Sequence, residues 1–141
     1  MLMRNGSVAI LLLVVACSGG SPVASPAPPV ITGGGQPAPG SKPIPFSFKG
    51  ESDDGFTITL QFRAPQCETT TAQVEQTAAV TKVTLLPQNS CSGAPVTQQR
   101  HVRLQTHFYP CTGQLIDGGT GQQAPVLKHA HVPSGACPST P

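Results

Sequence analysis

The sequence is poor in the side chains that make large contacts. Tryptophan is absent, methionine does not occur after residue 3, and the only aromatics are Phe46, Phe48, Phe56, Phe62, Phe108 and Tyr109. That is a thin supply of anchors for an extensive protein–protein interface. Charge is also sparse. Charged residues make up 10% of 141, eight Lys and Arg against six Asp and Glu, with no block of one sign. This excludes the basic footprint of a nucleic-acid binder and a polybasic patch for anionic lipid. No apolar run approaches the roughly 20 residues that a spanning helix needs. There is no C-x-x-C pair and no G-x-S-x-G elbow. No segment sustains a helical period between caps. What is abundant is proline, 16 residues, and glycine, 15 residues, the punctuation of turns and loops.

The first 17 residues have an order of their own. Arg4 precedes the apolar run Val8-Ala9-Ile10-Leu11-Leu12-Leu13-Val14-Val15-Ala16, and Cys17 closes it. The run is too short to span a bilayer and suits the core of an export signal. Val14-Val15-Ala16-Cys17 resembles the lipobox of bacterial lipoproteins. The resemblance implies cleavage after residue 16, diacylglyceryl transfer to Cys17 and often acylation of its new amine. Each buried CH₂ of such chains contributes about 0.8 kcal/mol, so two or three chains hold firmly. The expected location is extracytoplasmic, on the cell membrane or the outer membrane through lipidated Cys17. Where a host sorts lipoproteins between two membranes, Ser18 argues against inner-membrane retention.

Residues 17–45 follow as Ser, Gly, Pro and Ala, with Gly33-Gly34-Gly35 and eight prolines from Pro22 to Pro45. Such a composition buries too little apolar surface to offset its ordering entropy and reads as a disordered tether. Residues 46–141 are then one small domain whose core is marginal and gains from disulfides. With Cys17 assigned to lipid, Cys67, Cys91, Cys111 and Cys137 remain, an even number in an exported chain. Three pairings are possible. A hairpin between residues 68 and 87 favours Cys67–Cys91, which leaves Cys111–Cys137.

Thr57-Ile58-Thr59-Leu60-Gln61-Phe62-Arg63, entered from Phe56, alternates apolar and polar residues and is the clearest strand. Phe46-Ser47-Phe48 suggests a first short strand, and Gly50 to Gly55 a turn. That turn lacks the closing glutamate of a calcium loop. Thr69–Glu75 and Val80–Leu86 read as a hairpin, and 87–95 as a loop. His101–Tyr109 alternates again and Pro110 stops it. Asp117-Gly118-Gly119-Thr120-Gly121 is a turn, and Val126–Val132 a last strand. Short strands with frequent turns point to an all-β fold, a small antiparallel β-sandwich.

An ordered set of features is now in place: Pro65-Gln66-Cys67, Val74-Glu75-Gln76-Thr77, Val80-Thr81-Lys82-Val83-Thr84-Leu85, Cys91, Val102-Arg103-Leu104 and Leu115-Ile116-Asp117-Gly118-Gly119-Thr120-Gly121. Together they resemble a small secreted domain common on lipoproteins of high-GC Gram-positive bacteria. The resemblance covers residues 56–127 and implies the fold rather than an activity, since that family has none assigned. Pro110-Cys111-Thr112-Gly113-Gln114 departs from the family's Pro-Leu-Gly-x-Arg. The extra cysteine is accounted for if Cys111 pairs with Cys137.

The histidines are the one chemically suggestive group. His129-Ala130-His131 sets two imidazoles on one face of a strand. His101 and His107, six residues apart, lie about 20 Å from each other if the strand is straight, too far to share a metal. His129 and His131 could join one of them and are the candidates for a metal, though no metal or other cofactor is assigned. Asp117 reads as a turn residue and Glu75 as a strand carboxylate, and no catalytic constellation is found. The expectation is a non-enzymatic, lipid-anchored envelope domain that binds an envelope protein or an extracellular ligand, not nucleic acid. The exposed face around His101, Arg103 and Tyr109 is its candidate surface. The alternative is a metal- or small-ligand-binding lipoprotein that uses the His129/His131 strand.

Overall fold

The computed structural model describes residues 30–32 and 35–133. They form nine strands in two sheets and no helix. The strands are β1 (Val30–Thr32), β2 (Phe46–Glu51), β3 (Thr57–Pro65), β4 (Thr70–Gln76), β5 (Val80–Pro87), β6 (Pro95–Arg103), β7 (Gln114–Asp117), β8 (Gln122–Gln123) and β9 (Val126–His131). One sheet has the order β1-β4-β5-β7-β8 and the other β6-β3-β2-β9.

Strand β3 organises the second sheet because its alternation is complete. Ile58, Leu60, Phe62 and Ala64 are buried at 0%, 0%, 4% and 2% exposure, and the residues between them face outward. Phe46 and Phe48 of β2 and Val102 of β6 extend this apolar face. Ala72 and Val74 of β4, Val83 and Leu85 of β5 and Leu115 of β7 supply the opposing one. Period-two side chains on both sheets thus interdigitate in one core.

The expected hairpin is present, with Thr70 opposite Pro87 and Gln76 opposite Thr81. Its open end carries the disulfide Cys67–Cys91, with Cα atoms 6.0 Å apart. Asn89 ties the same end. Its Oδ1 accepts from Thr69 N at 2.8 Å, and its Nδ2 donates to Cys67 O at 3.0 Å. Cys17 and Cys137 lie outside the described residues, as do the signal segment and residues 17–29 of the tether.

The sandwich departs from the expectation in four places. It is not wholly antiparallel: β2–β9 and β5–β7 are parallel pairs. Strand β2 runs on through Gly50 and Glu51, because Gly50 opposes Thr59 and Glu51 opposes Ile58, so the turn begins only at Ser52. The strand expected at His101–Tyr109 is displaced toward the N-terminus. After Leu104 the chain leaves β3, and the Gln76 side chain takes over its backbone, with Oε1 accepting from Gln105 N at 2.9 Å and Thr106 N at 3.1 Å. Finally, ordered structure enters the stretch assigned to the tether. Val30–Thr32 pairs with β4, and Ala38 N and Ile44 N donate to Pro87 O and Leu85 O of β5 at 2.9 and 2.8 Å.

Candidate functional site

One corner of the second sheet gathers acidic, basic and aromatic side chains in mutual contact. The end of β2, the 52–56 turn, the end of β6, the 104–109 loop and the end of β9 meet there. The turn is self-supporting. Ser52 Oγ bonds Asp54 Oδ1, Phe56 N donates to the same oxygen at 3.0 Å, and Ser52 N donates to Thr57 O at 2.8 Å. Gly55 has φ +67°, and a Cβ there would collide with the His107 imidazole. A left-handed backbone and a ring pressed on it both demand glycine.

The rings stack outward from this turn. His107 meets Phe56 edge-on, with centroids 5.5 Å apart, and lies against Tyr109 at 4.2 Å. Tyr109 is 51% exposed. Arg103 stands over Phe56, its Cζ 5.5 Å from the ring centroid, and its Nη1 reaches Asp54 Oδ2 at 3.2 Å. The Ser52 hydroxyl, the Phe56 amide and then the Arg103 guanidinium hold the Asp54 carboxyl below its ordinary range.

Behind the rings lies a buried carboxylate. Glu51 is 4% exposed. Burial pushes its pKa up, while the nearby His107 and His131 imidazoles pull the other way when charged. Glu51 Oε2 and His107 Nδ1 are both buried without a hydrogen-bond partner among the described residues. His131, at the end of β9, faces Asp53 Oδ1 at 3.4 Å across an exposed contact.

The corner therefore brings together Arg103, His107, Tyr109 and His131 and adds Glu51, Asp53, Asp54 and Phe56. It does not include the rest of the residues expected to matter. His101 lies along β6, its Nδ1 3.0 Å from Thr59 Oγ1. His129 is exposed on β9. Among the described residues no three His, Cys, Asp or Glu side chains converge in a way that could hold a metal. Asp117 caps its own turn, accepting from Gly119 N at 2.8 Å. Glu75 pairs with Lys82 at 3.3 Å on the surface. An open groove of about 520 Å³ lies away from the corner, with Ser47, Gln61, Arg63, Thr97, Gln122 and Gln123 among its walls.

No protein-family model, no curated protein and no solved structure matches this chain.

Proposed function

We propose that this protein is a lipid-anchored, extracytoplasmic binding domain of a bacterial cell envelope, without catalytic activity, and that the Tyr109 corner is its recognition surface. One observation carries the reading. In a chain with a single tyrosine and no tryptophan, that tyrosine is half-exposed and braced by His107, beside the Arg103–Asp54 pair. Tyrosine and arginine are the residues most often found at the energetic centre of an interface. Bracing lowers the entropy that each side chain loses on binding. A protein or peptide segment that offers an apolar group to Tyr109 and a carboxylate or carbonyl to Arg103 fits this surface.

The remaining parts of the proposal concern residues outside the described structure. Residues 1–16 are the export signal, Cys17 carries the lipid, and Cys137 closes a second disulfide on Cys111. The lipobox-like sequence and the even cysteine count support these assignments. The resemblance to the small domain of high-GC Gram-positive lipoproteins supports the same cellular setting. The test is cross-linking of the tagged protein in its own cells, followed by mass spectrometry of the captured species. A reproducible protein product that disappears with Tyr109→Ala supports the reading. A capture pattern indifferent to Tyr109 and Arg103 overturns it.

A further inference from the structure

Strand β6 is an edge nine residues long, and among the described residues no strand pairs with its outer side. Its hydrogen-bonding phase follows from one contact. Leu104 N donates to Phe56 O at 2.7 Å, one step beyond the Thr57–Arg103 pair that ends the ladder. Hydrogen-bonded pairs alternate along an antiparallel ladder. The even-numbered residues of β6 therefore turn their N–H and C=O groups toward β3. Thr97, Gln99, His101 and Arg103 turn theirs outward, and their side chains are exposed on the outer face.

The inner face of this edge carries a charge. Arg100 lies opposite Leu60, and its Nε is buried without a partner among the described residues. An inward-pointing charge at an edge normally repels a partner strand. It repels selectively, because a strand that placed a carbonyl oxygen opposite Arg100 would satisfy it. Such an oxygen stands one turn of the pleat away on the same strand. Gln98 Nε2 is fixed by donation to Pro65 O at 2.7 Å and Ala64 O at 3.3 Å.

We propose that β6 pairs antiparallel with β6 of a second copy about a two-fold axis at Gln99, joining the two β6-β3-β2-β9 sheets into one. Full overlap of the strand, Pro95 against Arg103, requires this register. It sets Gln98 Oε1 of each copy against Arg100 of the other, Thr97 against His101, and Gln99 against itself. Every outward main-chain donor, from Thr97 to Arg103, then finds an acceptor. No cation lies directly opposite a cation; the two Arg100 residues are diagonal neighbours, each with a Gln98 opposite it. A register centred on Arg100 would instead oppose two guanidinium groups, which is unfavourable in a cross-strand pair. Of the Tyr109 corner only the Arg103 main chain, at the end of β6, takes part.

The test uses the full chain in detergent and in cells. Gln99→Cys lies on the axis, where directly paired residues are about 5.5 Å apart at Cα, within disulfide reach. It is expected to form a covalent dimer. Thr97→Cys alone is displaced by four residues, about 13 Å from its own copy, and is expected not to. Thr97→Cys co-expressed with His101→Cys is expected to cross-link. Gln99→Pro removes an N–H that β3 does not use and is expected to leave a folded monomer by sedimentation, whereas Gln99→Ala stays dimeric. A wild-type monomer overturns the proposal, including one whose Thr97, Gln99 and His101 amides resist hydrogen exchange because another part of the chain covers them. Equal cross-linking from Thr97→Cys and Gln99→Cys also overturns it.

Discussion

Removal of the Cys67–Cys91 disulfide isolates what a covalent link contributes to this small sandwich. The two residues are 24 apart in sequence, so the bridge closes a loop of about 25 residues in the unfolded chain. On the chain-entropy model that restriction is worth about 3.5 kcal/mol at 25 °C. The folded side should change little when the bridge is cut. Cys67 is exposed and Cys91 only partly covered, so truncation leaves no core cavity. The hairpin ladder and the Asn89 bonds hold the same end together without it. The double variant Cys67→Ala/Cys91→Ala is therefore expected to stay folded and to melt roughly 15–25 °C lower, on the usual scaling for a domain of this size. Calorimetry on both proteins under non-reducing conditions measures this. A fall of only a few degrees would refute the reasoning, because it would mean that the unfolded chain is not freed by breaking the loop.

Three other outcomes follow from the same structure. Leu60→Ala empties a fully buried site on β3 between Phe48 and Arg100 and is expected to cost about 2–5 kcal/mol in urea unfolding. Glu51 has a folded pKa raised by burial above its ordinary value of 4.5. Its ionised form thus costs stability at neutral pH, and the cost fades as pH falls through the raised pKa and is gone below 4.5. Glu51→Gln should therefore raise Tm at pH 7 by an amount that shrinks toward pH 4, and a gain independent of pH would contradict this. Cys17→Ser is expected to abolish incorporation of labelled palmitate and to release the protein from the membrane fraction; a labelled variant would remove the anchor assignment.

The parts of the fold that were legible in the sequence are those whose signal is local. Strand β3 shows complete alternation because it lies inside its sheet with one face in the core. The β4–β5 hairpin and the Asp117 turn are short-range features with their own turn residues. Strand β6 was misplaced for a physical reason. An edge strand needs few apolar residues, and Thr97 to Arg100 is polar on both faces, so the period-two signal vanishes in the first half of the strand. The parallel pairs β2–β9 and β5–β7 join segments far apart in sequence, and no local pattern announces them. Of the corner, Arg103 and Tyr109 were visible as exposed polar and aromatic residues. Glu51 was hidden in a stretch that reads as a turn, Gly50-Glu51-Ser52-Asp53-Asp54-Gly55. Its burial depends on strand pairing with Ile58 and on a loop and a strand that arrive from more than 50 residues away. Asp53 and Asp54 were equally unreadable as partners, because His131 and Arg103 reach them from distant strands.

The most direct measurement of the binding assignment is site-specific photo-cross-linking in living cells from Gln105, an exposed residue of the loop that carries His107 and Tyr109. The expected result is a discrete product with another envelope protein. It should be lost when Tyr109→Ala or Arg103→Ala is added, while each variant still melts within a few degrees of the parent, since the Arg103–Asp54 pair is solvent-exposed and such pairs contribute at most about 1 kcal/mol. No product from Gln105, or a product that persists in both variants, would contradict the assignment of this corner as the recognition surface.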